Sequence, residues 1–131
     1  MGKVEGAPGM LALAKGDLEA LRAMGEIPSI ADRIVGFHAQ QAIEKSLKAW
    51  IASLGLVYPF THNLIMLFSQ LEEAGADIER FLPLARYGSF AVQFRYDQFQ
   101  ETGDSLDRAA VIREVTDVVE HVERLIGRPG T

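Results

Sequence analysis

Phe37-His38-Ala39-Gln40-Gln41-Ala42-Ile43-Glu44-Lys45-Ser46-Leu47-Lys48 sets polar groups into the middle of a strongly helical segment, around which the rest of the chain is organised. With its flanks the segment runs from about residue 30 to 54, roughly 37 Å of helix at 1.5 Å rise per residue. Ile34, Phe37, Ile43, Leu47, Trp50, Ile51 and Leu54 recur at three- and four-residue steps, the pattern of a stripe buried against neighbouring helices. Trp50 shares its face with Leu47 and Leu54 and is expected in the core. Gln40 and Gln41 interrupt the stripe. A buried amide without partners costs about 1 to 3 kcal/mol, so these side chains should face another subunit, polar groups of another helix or a ligand. The plainer alternative has one glutamine buried and satisfied and the other solvated. Glu44 and Lys48, four apart in the favourable order, are expected to pair on the surface.

Outward from this helix, Leu11, Ala14, Leu18 and Leu21 mark an amphipathic helix over about 9 to 24, ended by Gly25 and Pro28. Residues 1 to 8 read as a disordered lead, and 128 to 131 as a tail. Ser29 is placed to cap the long helix and Gly55 to supply a left-handed residue after it. After Tyr58-Pro59-Phe60, Thr61 is placed to cap a helix carrying Leu64, Ile65, Leu67, Phe68 and Leu71. Proline fits only a first turn, so Pro83 is expected to divide the next stretch into a short turn and a helix over about 83 to 95. Asp104 or Ser105 is expected to cap a last helix on which Ile112, Val115, Val119, Val122 and Ile126 form the inner face. The fold class is all-α: an up-and-down bundle of four main helices with an additional short helix, one domain over residues 9 to 127.

The chain of 131 residues is long enough for one self-sufficient core. It has no cysteine, which excludes disulfides, thiolate nucleophiles and cysteine metal sites. It shows neither the apolar core of a signal peptide nor a membrane-length apolar run, so the expected location is cytoplasmic. A net charge of −5 is the wrong sign for tracking nucleic-acid phosphates by charge alone. No histidine has a Glu three residues before it, and the common phosphate-loop, acyl-transfer and dinucleotide motifs are absent; neither metal nor cofactor is expected.

The run from Phe37 to Ala49, followed by Thr61-His62-Asn63-Leu64, resembles the HEPN family (higher eukaryotes and prokaryotes nucleotide-binding domain). That family carries Phe-His-x-Gln-Gln-x-x-Glu-Lys-x-Leu-Lys and then Thr-His-Asp-Leu, with Asn63 here in place of the usual Asp. Its later Arg-Tyr-Pro element corresponds to Arg95-Tyr96-Asp97, without the proline. The resemblance covers about residues 10 to 126 and implies a dimeric nucleotide-binding or interaction module, paired with a small nucleotidyltransferase in toxin-antitoxin-like fashion. A second implication comes from the family's ribonuclease branch, whose Arg-x(4 to 6)-His pair is matched in spacing by Arg33 and His38. There the cation stabilises developing phosphate charge and the histidine moves the proton, without metal. Five residues are about 140° around a helix, so the two side chains converge only at a subunit junction. A third reading is a ligand-free interaction bundle.

A nucleotide or RNA site is expected where Lys45, Lys48, His62, Arg95 and Tyr96 converge: the cations neutralise phosphate, a helix start offers N–H donors, and Tyr96 offers a face for a base. Gln40, Gln41 and Glu44 are expected at an interface or as buried polar groups. The glutamines, together with Phe90, Phe94, Tyr96 and Phe99 near a polar loop, predict a homodimer.

Overall fold

The computed structural model describes residues 6–90 and 106–127, and among these the regular secondary structure is helical throughout. Helix α1 spans Ala7–Gly25, α2 Asp32–Ser53, α3 Leu64–Glu73 and α4 Arg108–Ile126, with a 3₁₀ segment at Glu79–Tyr87 between α3 and α4. Helix α2 is the centre of an all-α bundle. Helices α1 and α4 pack on it and on each other, while α3 and the 3₁₀ segment close its remaining side.

The stripe of α1 is borne out, with Leu11, Ala14, Leu18 and Leu21 all buried. On α2 the burial goes further than one stripe. Ile43, Leu47, Trp50 and Ile51 are inside, but so are Val35, Ala39, Ala42, Ser46 and Ala49, whose small side chains let neighbouring helices approach on a second face. Ser46 satisfies its hydroxyl by donating to the Ala42 carbonyl at 2.8 Å. Leu54 is exposed instead of buried, because α2 has ended at Ser53. Trp50 is in the core as expected, edge-on to Phe81 with centroids 6.0 Å apart and beside the His121 ring at 4.9 Å.

Several boundaries differ from the sequence reading. Helix α1 begins at Ala7 because Pro8 fits its first turn, so the expected lead is shorter; residues 1–5 lie outside the described residues. The N-cap of α2 is Ala31, not Ser29, and Asp32 supplies first-turn negative charge. Gly55 does take the left-handed conformation, at φ 79°. Pro83 sits inside the continuous 3₁₀ segment and does not divide it; Arg86 donates to the Pro83 carbonyl at 2.9 Å. The cap of α4 is Asp107, whose carboxylate accepts from the Ala110 N–H at 3.1 Å. The expected caps Asp104 and Ser105 lie outside the described residues. Val111 and Val118 are buried with Val115, Val119 and Val122, and Ile112 and Ile126 pack partly buried against the same core, so the inner face of α4 is wider than the expected row.

Two polar clusters fasten α4. Tyr87 and Arg86 donate to Glu114 Oε1 at 2.9 and 2.5 Å, joining the 3₁₀ segment to α4. Burial first, and then the Glu114 carboxylate, push the Tyr87 hydroxyl well above the usual tyrosine range, so it stays a donor. Arg108 donates to the carbonyls of Met24 and Ile27 at 3.2 and 3.0 Å, to that of Ile30, and to Asp32 Oδ1 at 2.9 Å. One guanidinium thus collects the end of α1, the turn after it and the start of α2.

Candidate functional site

Three polar residues of the central stretch, Gln40, Glu44 and Lys48, lie about one turn apart on a single face of α2. That face looks at the loop before α3. Glu44 is 3% exposed and is the hub. Lys48 Nζ donates to its Oε2 at 2.9 Å, and Gln40 Nε2 donates to its Oε1 at 2.9 Å. His62 Nδ1 lies 3.0 Å from Oε1, and beside an ionised carboxylate that nitrogen carries the proton and donates. Burial alone raises the Glu44 pKa, but the hydrogen bonds from Lys48, Gln40 and His62 outweigh it and hold the carboxyl below its ordinary value. Glu44 is therefore charged at neutral pH.

Gln40, also buried, shares its amide between Glu44 and the His62 carbonyl at 3.3 Å, and its oxygen accepts from Gln41 Nε2 at 2.7 Å. The reading of one satisfied glutamine and one solvated one is thus half right: Gln41 is half-buried and bonded to its neighbour. Neither glutamine needs another subunit. The expected surface pair of Glu44 and Lys48 is buried, because Lys48 reaches along the helix over the Tyr58 ring, 5.7 Å from its centroid.

The loop is fixed from its own side as well. Asn63 Oδ1 accepts from the N–H groups of Ile65 and Met66 at 2.9 and 3.3 Å, and is the cap of α3. Thr61, the expected cap, instead accepts from the Asn63 N–H at 3.1 Å. His62 and Asn63 thus precede the first turn of α3 instead of lying in it. Two of the N–H groups that could have met a phosphate there are already bonded to Asn63.

The remaining candidates are held elsewhere. Lys45 pairs at 2.6 Å with Asp17 of α1, which also lies 3.8 Å from His38 Nδ1. Lys45 therefore faces α1 while Lys48 faces Glu44 and the loop. His38 stands edge-on to Phe37, with centroids 5.6 Å apart, and Arg33 lies in the first turn of the same helix, half-buried. Arg95 and Tyr96 lie outside the described residues, as do Phe94 and Phe99. Phe90 packs on the core, where a Cβ on Gly36 would come within 2.4 Å of its ring. Asp17, Tyr58 and Arg108 were missed by sequence reasoning, since each acts on residues far away in the chain.

The described cations are largely engaged by acids. Lys15, Lys45, Lys48, Arg80, Arg86 and Arg108 each pair with a carboxylate. Among the described residues no group of His, Asp and Glu could hold a metal ion, and no helix is long and apolar enough to cross a membrane.

A family model described as HEPN domain matches residues 11–127, close to the span over which the sequence carries the resemblance. Comparison with curated proteins and with solved structures finds no match.

Proposed function

The chain belongs to the HEPN domain family, a family of nucleotide-binding and RNase-type modules, and on that premise we propose that it works by assembly, as a homodimeric HEPN interaction module. Its partner in this reading is a small nucleotidyltransferase, in a toxin-antitoxin-like pair. The observation that favours assembly over phosphate binding is the internal use of the family's polar residues. Gln40, Glu44, Lys48 and His62 bond to one another to hold a loop, and Lys45 bonds to Asp17, so their charge is neutralised before any phosphate arrives. A phosphate competing for Lys48 would leave the buried Glu44 carboxylate without its strongest partner, an arrangement that costs about 3 to 5 kcal/mol.

The test is light scattering at micromolar concentration, together with calorimetric titration of ATP, GTP and short RNA. The mass of two chains, with no binding heat that depends on Lys45 or Lys48, is the expected result; a mass of 14.4 kDa, that of one chain, overturns the dimer. The ribonuclease reading through Arg33 and His38 is checked in the same preparation. Metal-independent RNA cleavage abolished by His38→Ala would replace assembly with catalysis as the function.

A further inference from the structure

Residues 49 to 71 contain no Asp, Glu, Lys or Arg, in a chain of which 24% is charged. Part of that stretch is core, but part is turned outward. Phe60 is 88% exposed, Val57 77%, Ile65 66% and Met66 51%, with Leu54 and Leu56 also open to solvent. On α3 the residues at Leu64, Leu67, Phe68 and Leu71 face inward, which puts Ile65, Met66 and Ser69 together on the outer side.

The loop and the helix start are held as one surface. Gln70 Nε2 donates to the Val57 carbonyl at 3.1 Å, the Thr61 hydroxyl lies 3.9 Å from Met66 Sδ, and Gln40 holds the His62 carbonyl. Apolar side chains on a loop pinned at this many points lose little freedom on binding, which is what a docking surface requires. Their exposed area is on the order of 600 Å², at the upper end for the largest patch on a monomer and most of the about 800 Å² one partner brings to a standard interface.

We propose that this uncharged face is where a second copy of the chain docks, about a two-fold axis that lays Phe60 of one copy on Ile65 and Met66 of the other. The proposal rests on the dimer reading above and names its surface. Charge selects the occupant. Each copy carries a net charge of −5, so two copies repel where their acidic surfaces meet; the loop and the first turns of α3 carry no charge, and the contact stops short of Glu72 and Glu73, exposed two turns further along the same side of the helix. A nucleic acid would need cations here, and the stretch has none. A two-fold contact uses the same patch twice, so a protruding ring beside an apolar helix face supplies both halves of the fit.

The experiment is analytical ultracentrifugation of the wild type, Phe60→Lys, Ile65→Lys and the control Leu13→Lys, whose side chain is exposed on α1. Circular dichroism verifies the fold of each. Phe60→Lys and Ile65→Lys should each weaken the dimer by about 30-fold or more, as loss of a central anchor does, while Leu13→Lys leaves it unchanged. Because the chain has no cysteine, an equimolar mixture of the Phe60→Cys and Met66→Cys variants gives a second readout that needs no loss of affinity: oxidation should link one copy of each kind in preference to two of the same kind. A wild-type dimer that survives both lysine substitutions, with no preferential cross-link between positions 60 and 66, overturns the surface and leaves the dimer reading standing. A wild type that stays monomeric at every concentration overturns both.

Discussion

Glu44 and Arg108 each tie a loop of the bundle to its helices, and they do so with opposite polarity. Glu44 is an acceptor on the central helix that gathers donors from Lys48, Gln40 and His62. Arg108 is a donor at the start of α4 that gathers the carbonyls of Met24, Ile27 and Ile30 and the carboxylate of Asp32. The acceptor hub is buried, whereas the donor hub and its acid keep part of their surface in water. The two hubs therefore fail differently. Losing the buried carboxylate strands a cation and an amide in the interior, while losing the guanidinium exposes carbonyls that water can partly reach.

The largest expected effect follows from that contrast. Glu44→Ala should lower the unfolding free energy in urea by about 3 to 5 kcal/mol, because removing one partner of a buried ion pair leaves the other uncompensated. Arg108→Ala should cost less, about 1.5 to 3 kcal/mol in the same measurement, the range for hydrogen bonds to a charged group. Arg108→Lys should recover little of it, since an ammonium has no planar fork to span three carbonyls and a carboxylate. Equal losses in the two alanine variants would erase the distinction between the hubs.

Acid sharpens the comparison further. The Leu106 N–H, and then Arg108, hold the Asp32 carboxyl below its ordinary 3.8, while the hydrogen bonds at Glu44 hold that one below 4.5 against the effect of burial. Depressed folded values mean that the unfolded chain binds more protons in this range. Each carboxylate's contribution is thus complete above its ordinary value and lost as pH falls through its folded one. Urea midpoints measured at stepped pH should begin to fall below about 4.5 in the wild type. Glu44→Ala should remove the part of that fall that begins at about 4.5, and Asp32→Asn the part that begins at about 3.8. The smallest effect concerns the loop that Glu44 holds. Asn63→Asp, the residue usual in the family, should raise stability by about a few tenths of a kcal/mol through the dipole of α3, and a thermal melt at neutral pH reads it.

How much of this was legible depends on distance along the chain. The helices of α1 and α2 were readable because an apolar residue every three or four positions is a local pattern, and burial of one face follows from it. The family was readable for the same reason, since its polar residues are close together in two short runs. The cap of α3 was not. Thr61 and Asn63 are both good caps two residues apart, and the choice falls on Asn63 where Gln40 and Glu44 hold the His62 backbone and ring from another helix.

By itself, then, the sequence determined that the chain is all-α, where its amphipathic helices lie, that a polar row interrupts the central one, and that the row belongs with Thr61 to Leu64. Only the tertiary structure decided that the row turns inward to hold that loop, that Lys45 is taken by Asp17, that Arg108 gathers the turn between α1 and α2, and that Phe60 and Ile65 are left outside. The physical reason is the range of the forces involved. Helical periodicity is set by hydrogen bonds four residues apart, whereas the partner of a charged side chain is whatever the packed helices bring within about 3 Å, and that depends on the whole chain.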